Sequence, residues 1–323
     1  MNALIALLAL GSVANGHAPI QETSPYPVKP SETDKAITTF DGPHLVYFNR
    51  GAVPRHELLI FLPGTNGKPG NTDLFCQTAA DLGYHVLALA YPTDIPATAA
   101  RNEKDPDAMR NFRLEIIEGK DLSTRVSVDR TNSIEHRLVK ALEFLAKKEP
   151  TVGWSQFLKG GQPNWPKIAL SGHSQGGGHA ALIAIRHRTA RAISTGGPKD
   201  FDRYRNKPAA WYTKPETPIS GFFTFNHELD KQGCDYAEQL LICKAMGLDK
   251  LGGPVSVDKE RPPFKGSRIL TTNFEGSPQE SVRAHSSVIS DALTPKAKDG
   301  SPVFKPVWVY MLTAEVGEVP NRK

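Results

Sequence analysis

A serine that stands between two glycines is the residue of this sequence best suited to chemistry. The pentapeptide from Gly172 to Gly176 reads Gly-His-Ser-Gln-Gly, with Ser174 at its centre. The short apolar stretch Lys167 to Ser171 predicts a buried strand, and Gly177 to Arg188 predicts a helix. A serine in such a strand–turn–helix setting is typical of a nucleophile elbow, because the sharp turn exposes its hydroxyl above the sheet edge. We therefore predict Ser174 as a nucleophile that attacks a carbonyl carbon.

The sequence also offers a base for this serine. A serine hydroxyl is a weak nucleophile until a base takes its proton, and an acid must hold that base in the correct tautomer. In enzymes whose nucleophile is a serine on such a strand–turn–helix elbow, the three residues follow the chain order serine, acid, histidine. Four of the ten histidines follow Ser174. His179 and His187 lie on the helix that leaves the serine, and His227 ends a strand where the acid is expected. The fourth, His285, follows the last predicted strand, so we predict it as the base.

Asp230 is the acid that this chain order favours. An apolar strand from Ile219 to Phe225 runs directly into a loop that carries both Glu228 and Asp230. Asp230 lies where a loop at a strand end would hold the acid. Glu228 remains the first alternative, and Asp202, after the preceding strand, is the second.

Two backbone amides are candidates for an oxyanion hole. The uninterrupted apolar run Leu58 to Leu62 predicts a strand covered on both faces, and Pro63 and Gly64 end it. In a nucleophile-elbow site, the loop after this strand and the residue after the serine each supply one N–H. Those residues are Thr65 and Gln175, and each such donor stabilises the transition state by about 3–4 kcal/mol. An ordinary turn is the alternative explanation of the Pro-Gly pair.

Aromatic residues near these motifs suggest a substrate pocket. We predict that His173 and Tyr91 contact the substrate, and Trp154 and Trp211 are further candidates. Packing in the core or on the surface explains each of these side chains individually at least as well.

Taken together, these residues resemble the α/β-hydrolase superfamily. The resemblance is carried by Pro63-Gly64-Thr65, the segment Gly172 to Gly178, Asp230 and His285, and it covers roughly residues 40 to 315. The glycine-rich stretch after the serine is similar to that of secreted lipases, cutinases and polyester hydrolases, and to that of dienelactone-hydrolase-type esterases. The resemblance implies hydrolysis of carboxylic esters without a metal or organic cofactor.

The sequence departs from this family pattern in two places. Gln175 stands where many polyester hydrolases carry methionine, and the polar stretch Pro92 to Arg130 matches no family pattern. We interpret that stretch as a long irregular excursion over the surface. Both departures leave the size of the substrate open.

The elements that must position these residues alternate between strand and helix. Buried strands separated by amphipathic helices, such as Asn132 to Lys148, predict an α/β-hydrolase fold with a mostly parallel, doubly wound sheet flanked by helices. We expect a signal peptide over residues 1–16, an extended linker over 17–38, one catalytic domain over 39–316 and a short tail over 317–323. The apolar run Met1 to Leu10 is too short to span a membrane, and the small residues Ala14 and Gly16 after it resemble a signal-peptide cleavage site. We therefore expect a secreted or periplasmic protein without stable membrane insertion; a disordered or surface-docked N-terminal tail is the alternative.

The composition limits the classes of partner that this protein is expected to bind. The net charge is +5, but Lys and Arg are scattered, so no basic stripe predicts binding to nucleic acid. We expect a monomer whose partner is an ester substrate, either a small molecule or a polymer. In an oxidising compartment Cys234 and Cys243 would pair, with Cys76 as the odd thiol; in a reducing one all three would be buried thiols.

These predictions converge on a secreted carboxylesterase. Ser174 would attack the ester, His285 would move the proton, and Asp230 would orient His285. A serine peptidase or amidase would use the same motifs. The alternative hypothesis outside the enzymes is a catalytically inactive binding protein.

Overall fold

The computed structural model describes residues 25 to 317, which are built around one nine-stranded sheet. In chain order its strands are β1 Tyr26–Val28, β2 His44–Tyr47, β3 Leu58–Leu62, β4 His85–Ala88, β5 Ile168–His173, β6 Arg191–Thr195, β7 Phe222–His227, β8 Val255–Ser256 and β9 Ile269–Thr272. The order across the sheet is β1-β2-β4-β3-β5-β6-β7-β9-β8. The β1–β2 and β2–β4 pairs are antiparallel, and the other neighbouring pairs are parallel. The expectation of a mostly parallel sheet is confirmed.

Helices connect the strands and cover the sheet. The α-helices of the described range are α1 Pro30–Thr33, α2 Asp73–Asp81, α3 Ala108–Glu118, α4 Ile134–Lys148, α5 Gln175–Arg186, α6 Tyr236–Ala245, α7 Ser281–Ser287 and α8 Lys305–Thr313. The α4 helix begins at Ile134, two residues after the predicted start at Asn132, because the Ser133 side chain caps it by accepting a hydrogen bond from the amide of His136.

The central strand β3 shows why the sheet is buried on both faces. Leu58, Ile60 and Leu62 belong to the apolar core that contains the α4 and α5 side chains. Leu59 and Phe61 point the opposite way, into a second core with α2 and α8. Since successive side chains of a strand alternate between faces, an uninterrupted apolar run fits a sheet with helices on both sides.

The expectation of an extended linker over residues 17–38 differs from the structure wherever that stretch is described. Tyr26–Val28 pairs antiparallel with β2 and forms one edge of the main sheet. Val28 and Ile37 are buried, so even this polar stretch contributes apolar side chains to the fold. The expected signal peptide, residues 1–16, lies outside the described residues.

The stretch Pro92 to Arg130 is not irregular throughout, because it contains the three-turn helix α3. Phe112 and Ile116 on this helix are buried, and α3 packs against α4 and α5. The helix ends at Gly119 with φ 70°, a left-handed conformation that glycine adopts without penalty. The many polar residues around these buried positions conceal the helix in the sequence.

Of the two alternatives for the cysteines, the structure has the buried thiols and not the Cys234–Cys243 disulfide. Cys76, Cys234 and Cys243 are all free and buried. The sulfur of Cys243 lies 3.7 Å from the hydroxyl of Thr224, whereas Cys234 donates to the carbonyl of Asp235. Burial raises the pKa of Cys234 and Cys243, so both remain protonated and unreactive near neutral pH.

Within residues 25–317, no helix is long and apolar enough to cross a bilayer. The same range holds no group of three or more His, Cys, Asp or Glu side chains arranged to bind a metal ion.

Candidate active site

Ser174 occupies a strained turn between β5 and α5. Its backbone has φ 54° and ψ −117°, a conformation that residues other than glycine rarely adopt. Such a residue costs about 1–3 kcal/mol and persists only when its surroundings enforce it. The amide of Ser174 donates to the carbonyl of Thr195 at the end of β6, which anchors the turn to the neighbouring strand.

The two glycines of the pentapeptide allow this turn to form. A Cβ atom on Gly172 would lie 2.3 Å from the backbone carbon of Gly176, and a Cβ on Gly176 would lie 1.9 Å from the carbonyl oxygen of Leu62. Both distances are far inside van der Waals contact with backbone atoms. Only glycine therefore lets β5, α5 and the end of β3 meet at Ser174.

His285 and Asp230 form a buried pair beside this turn. The Nδ1 atom of His285, on α7, lies 2.7 Å from Oδ2 of Asp230, in the loop after β7. The other Asp230 oxygen accepts from the amide of Gln232 at 2.8 Å. Asp230 is fully buried and His285 nearly so. With Nδ1 engaged by the carboxylate, Nε2 is the imidazole nitrogen left for a serine.

Ser174 and His285 line one cavity of about 440 Å³, which Thr65, Gln175 and His173 also line. The hydrogen bonds of the described residues include none between the Ser174 hydroxyl and the imidazole, whose bonds run through Nδ1 to Asp230. Nucleophile–base contacts are often long before a substrate binds. Ser174, His285 and Asp230 therefore lie together at one site, although no hydrogen bond joins the serine hydroxyl to the imidazole.

The two expected oxyanion donors also meet in this cavity. Gln175 is the first residue of α5, so its amide has no partner within the helix. The side-chain oxygen of Gln175 accepts from the Thr65 hydroxyl at 3.2 Å and from the amide of Ala97 at 2.8 Å. The Gln175 side chain thereby ties the β3 loop to the start of α5. The N-terminus of α5 also favours negative charge at this point.

The electrostatics keep the imidazole neutral and the carboxylate charged. Burial lowers the pKa of His285; the Lys199 ammonium lowers it further, while Asp230 opposes both. Burial alone would raise the pKa of Asp230, but His285 and Lys199 together hold it well below its usual range. A neutral imidazole beside a charged carboxylate is the state in which histidine acts as a base.

His173 lies beside His285 and lines the cavity. The two imidazole rings are 4.6 Å apart between centroids, and the Nε2 of His173 lies 3.3 Å from the His285 carbonyl. Burial lowers the pKa of His173 to about 3, so its ring is neutral.

The other predicted pocket residues lie elsewhere. Tyr91 is buried and donates to the carbonyl of Pro63; it lines a neighbouring cavity of about 630 Å³ and not the one that Ser174 lines. Trp154 packs against His85, and Trp211 donates to Asp200. None of these three aromatic side chains lines the cavity of Ser174, and Trp154 and Trp211 pack in the core.

The two alternative acids do not bond to His285. Glu228 is exposed and accepts a long hydrogen bond of 3.4 Å from the Thr271 hydroxyl. Asp202 pairs with Arg205 three residues further along the chain.

Sequence reasoning missed three charged residues at the site: Lys199, Asp200 and Arg113. The first two follow β6 at the carboxyl edge of the sheet, where ligand sites of α/β proteins form. This position was the one available signal. Arg113 donates to both oxygens of Asp200 and to the carbonyl of Gln175, which lies 62 residues away in the chain.

No protein-family model matches the chain, and a search of curated proteins gives no match either.

Proposed function

We propose that this protein is a serine hydrolase with the α/β-hydrolase fold, and that it cleaves carboxylic esters. The observation that carries the proposal is the 2.7 Å contact between His285 and Asp230 at the cavity that Ser174 lines. Two independent features support it. Ser174 has the strained φ of a nucleophile elbow. The chain order of the three residues is that of the superfamily.

The reaction proceeds through an acyl-enzyme. The Ser174 oxygen attacks the ester carbonyl carbon while its proton passes to Nε2 of His285, and the amides of Thr65 and Gln175 bind the resulting oxyanion. The intermediate expels the alcohol oxygen, which takes the proton back from His285. Water then attacks the acyl carbon, gives a proton to His285, and releases the carboxylic acid as Ser174 recovers its hydrogen.

The cavity favours small substrates. Its volume of about 440 Å³ is at the lower end for ligand pockets, and polar side chains such as Asn66, Lys68 and Thr98 interrupt its apolar lining. Short acyl chains fit this space better than long fatty acids.

The test compares the wild-type protein with Ser174→Ala on p-nitrophenyl esters of increasing acyl length. We expect the substitution to lower kcat by about 10⁴- to 10⁶-fold, because it removes the nucleophile. Wild-type kcat/KM should be highest for acetate or butyrate and fall for longer chains. Ser155→Ala, at an exposed serine outside the cavity, is the matched control.

A fluorophosphonate separates this proposal from its alternatives. Covalent labelling confined to the Ser174 peptide supports a serine hydrolase, and absence of labelling together with equal rates for wild type and Ser174→Ala supports a binding protein. Amide substrates cleaved faster than their matched esters would favour the peptidase or amidase reading.

A further inference from the structure

Lys199 is a buried ammonium in the candidate site that the proposed reaction does not use. Its side chain lines the catalytic cavity but is only 8% exposed. The Nζ atom lies 2.8 Å from Oδ2 of Asp230, 2.7 Å from the carbonyl of Gln232 and 3.3 Å from that of Cys234. These contacts match the three hydrogens of a lysine ammonium. Lysine is seldom buried unless it is paired.

Three donors converge on one oxygen of Asp230, and the ammonium of Lys199 is the charged one among them. The Oδ2 atom contacts Nδ1 of His285 at 2.7 Å, Nζ of Lys199 at 2.8 Å and the amide nitrogen of Gln239 at 3.1 Å. A carboxylate beside a catalytic histidine stabilises its protonated form. The Lys199 ammonium on the same oxygen offsets part of that stabilisation, because it already balances part of the negative charge.

We propose that Lys199 is a positioning residue that acts through Asp230 to keep His285 unprotonated in mildly acidic solution. It does so by partly balancing the negative charge of the carboxylate oxygen that His285 also contacts. Its bonds to the Gln232 and Cys234 carbonyls also hold the loop that aims Asp230 at the imidazole. The inference rests on the proposed function, since it assigns His285 the role of base.

The surroundings of His285 leave few other groups that could have this effect. Asp230 faces it from the loop after β7, Lys199 from the loop after β6, and His173 from the end of β5. His173 is neutral because of its burial, and Arg283 on the same helix as His285 is exposed. Burial is the largest cause of the lowered pKa of His285, and Lys199 is the cation that lowers it further.

The experiment measures kcat/KM against pH for p-nitrophenyl acetate with the full chain. Lys199→Met removes the charge and the donors, and Lys199→Gln removes the charge but keeps a donor. We expect both to move the acid limb of the profile upward by about one pH unit. Lys199→Arg, which keeps a cation, should restore the wild-type profile. Lys231→Met removes an exposed lysine next to Asp230 in the chain and should leave the limb in place.

An unshifted acid limb in folded Lys199→Met and Lys199→Gln would overturn the proposal and leave Lys199 a purely structural role. A fall in rate without a shift has the same meaning, because a loosened loop lowers kcat at every pH.

An NMR titration of the His285 ring protons, assigned with His285→Gln, gives a readout that does not need activity. Wild-type His285 should titrate below the ordinary value of 6.5, and the Lys199 variants should raise it. A wild-type value at or above 6.5 contradicts the proposal even if no variant folds. Failure of Ser174→Ala to lower ester hydrolysis would instead contradict the proposed function, and the titration would still decide the role of Lys199.

Discussion

Arg113 donates a hydrogen bond of 2.8 Å to the carbonyl of Gln175, the residue that follows the candidate nucleophile. The rest of its guanidinium is paired in two places with Asp200, and both side chains are 1% exposed. Gly178 makes room for this arrangement, because a Cβ atom there would lie 2.3 Å from Cζ of Arg113. A buried ion pair thus fixes the first turn of α5, and both of its residues line the cavity that Ser174 lines.

Breaking this pair should cost much more stability than breaking a surface pair. Asp200→Asn leaves the Arg113 charge buried without a counter-ion, so we expect the free energy of unfolding to fall by about 3–5 kcal/mol. Glu143→Gln, which removes the half-exposed partner of Lys140, should cost under about 1 kcal/mol. Urea denaturation followed by tryptophan fluorescence measures both. Equal losses in the two variants would mean that the Arg113–Asp200 pair does not hold the site.

The glycines of the elbow should tolerate no side chain. Gly176→Ala would drive a methyl group into the carbonyl of Leu62 at 1.9 Å. We expect this variant to lose most activity and several kcal/mol of stability, because backbone atoms of two elements must move. Gly42→Ala is the control, since nothing lies within 4 Å of the place that its new Cβ would take and the φ of Gly42 is not positive. Thermal unfolding and ester hydrolysis test the pair. A fully active Gly176→Ala would contradict the described turn.

Local patterns predicted the centre of the sheet because its residues are buried on both faces. The run Leu58 to Leu62 has a composition that only a covered strand explains, and β3 has those bounds. The pentapeptide around Ser174 carries its own geometric requirement, since two of its five residues must be glycine. The strand and the turn are each determined by a few neighbouring residues, so the local sequence pattern is enough to locate them.

Local sequence patterns do not predict contacts between side chains that are distant in the chain. Arg113 meets Asp200 across 87 residues of chain, and nothing near Arg113 marks it as buried. Lys199 looked like one scattered lysine among many, although its ammonium contacts Asp230. The edge strand Tyr26–Val28 contains a proline and sits in a polar stretch, which favours a linker until β2 supplies its partner.

The assignment of the acid can be decided between Asp230 and Glu228. Asp230→Asn removes the charge that orients and stabilises the imidazolium, so we expect kcat to fall by roughly 10⁴-fold. Glu228→Gln should leave kcat within about twofold, because its exposed carboxylate makes no contact with His285. Steady-state kinetics on p-nitrophenyl acetate compare them. Asp230→Asn also deprives buried Lys199 of its counter-ion, so its folded fraction must be measured beside its rate.

A reversed order of effects, with Glu228→Gln the more damaging variant, would move the acid to Glu228. Comparable losses in both variants would point to a shared effect on the loop between β7 and α6.

Asp291 caps α2 from a distant part of the chain, and its burial should make stability depend on pH. Its carboxylate accepts from the amides of Asp73 at 2.7 Å and Leu74 at 3.2 Å, in place of the side chain of Thr72. Burial raises the pKa of Asp291 from 3.8 to about 6 in spite of these bonds. The folded protein therefore holds this proton more tightly than the unfolded chain does.

It follows that Asp291 lowers the free energy of unfolding as the pH rises from 3.8 through about 6. Asp291→Asn keeps an oxygen acceptor for the helix but cannot ionise, so the variant should gain stability relative to wild type across this window. Urea denaturation at about pH 4 and about pH 7 measures the difference, and Asp81→Asn, at the exposed end of the same helix, controls for net charge. A difference between Asp291→Asn and wild type that stays constant, or shrinks toward neutral pH, would show that the cap bonds outweigh the burial of the carboxylate.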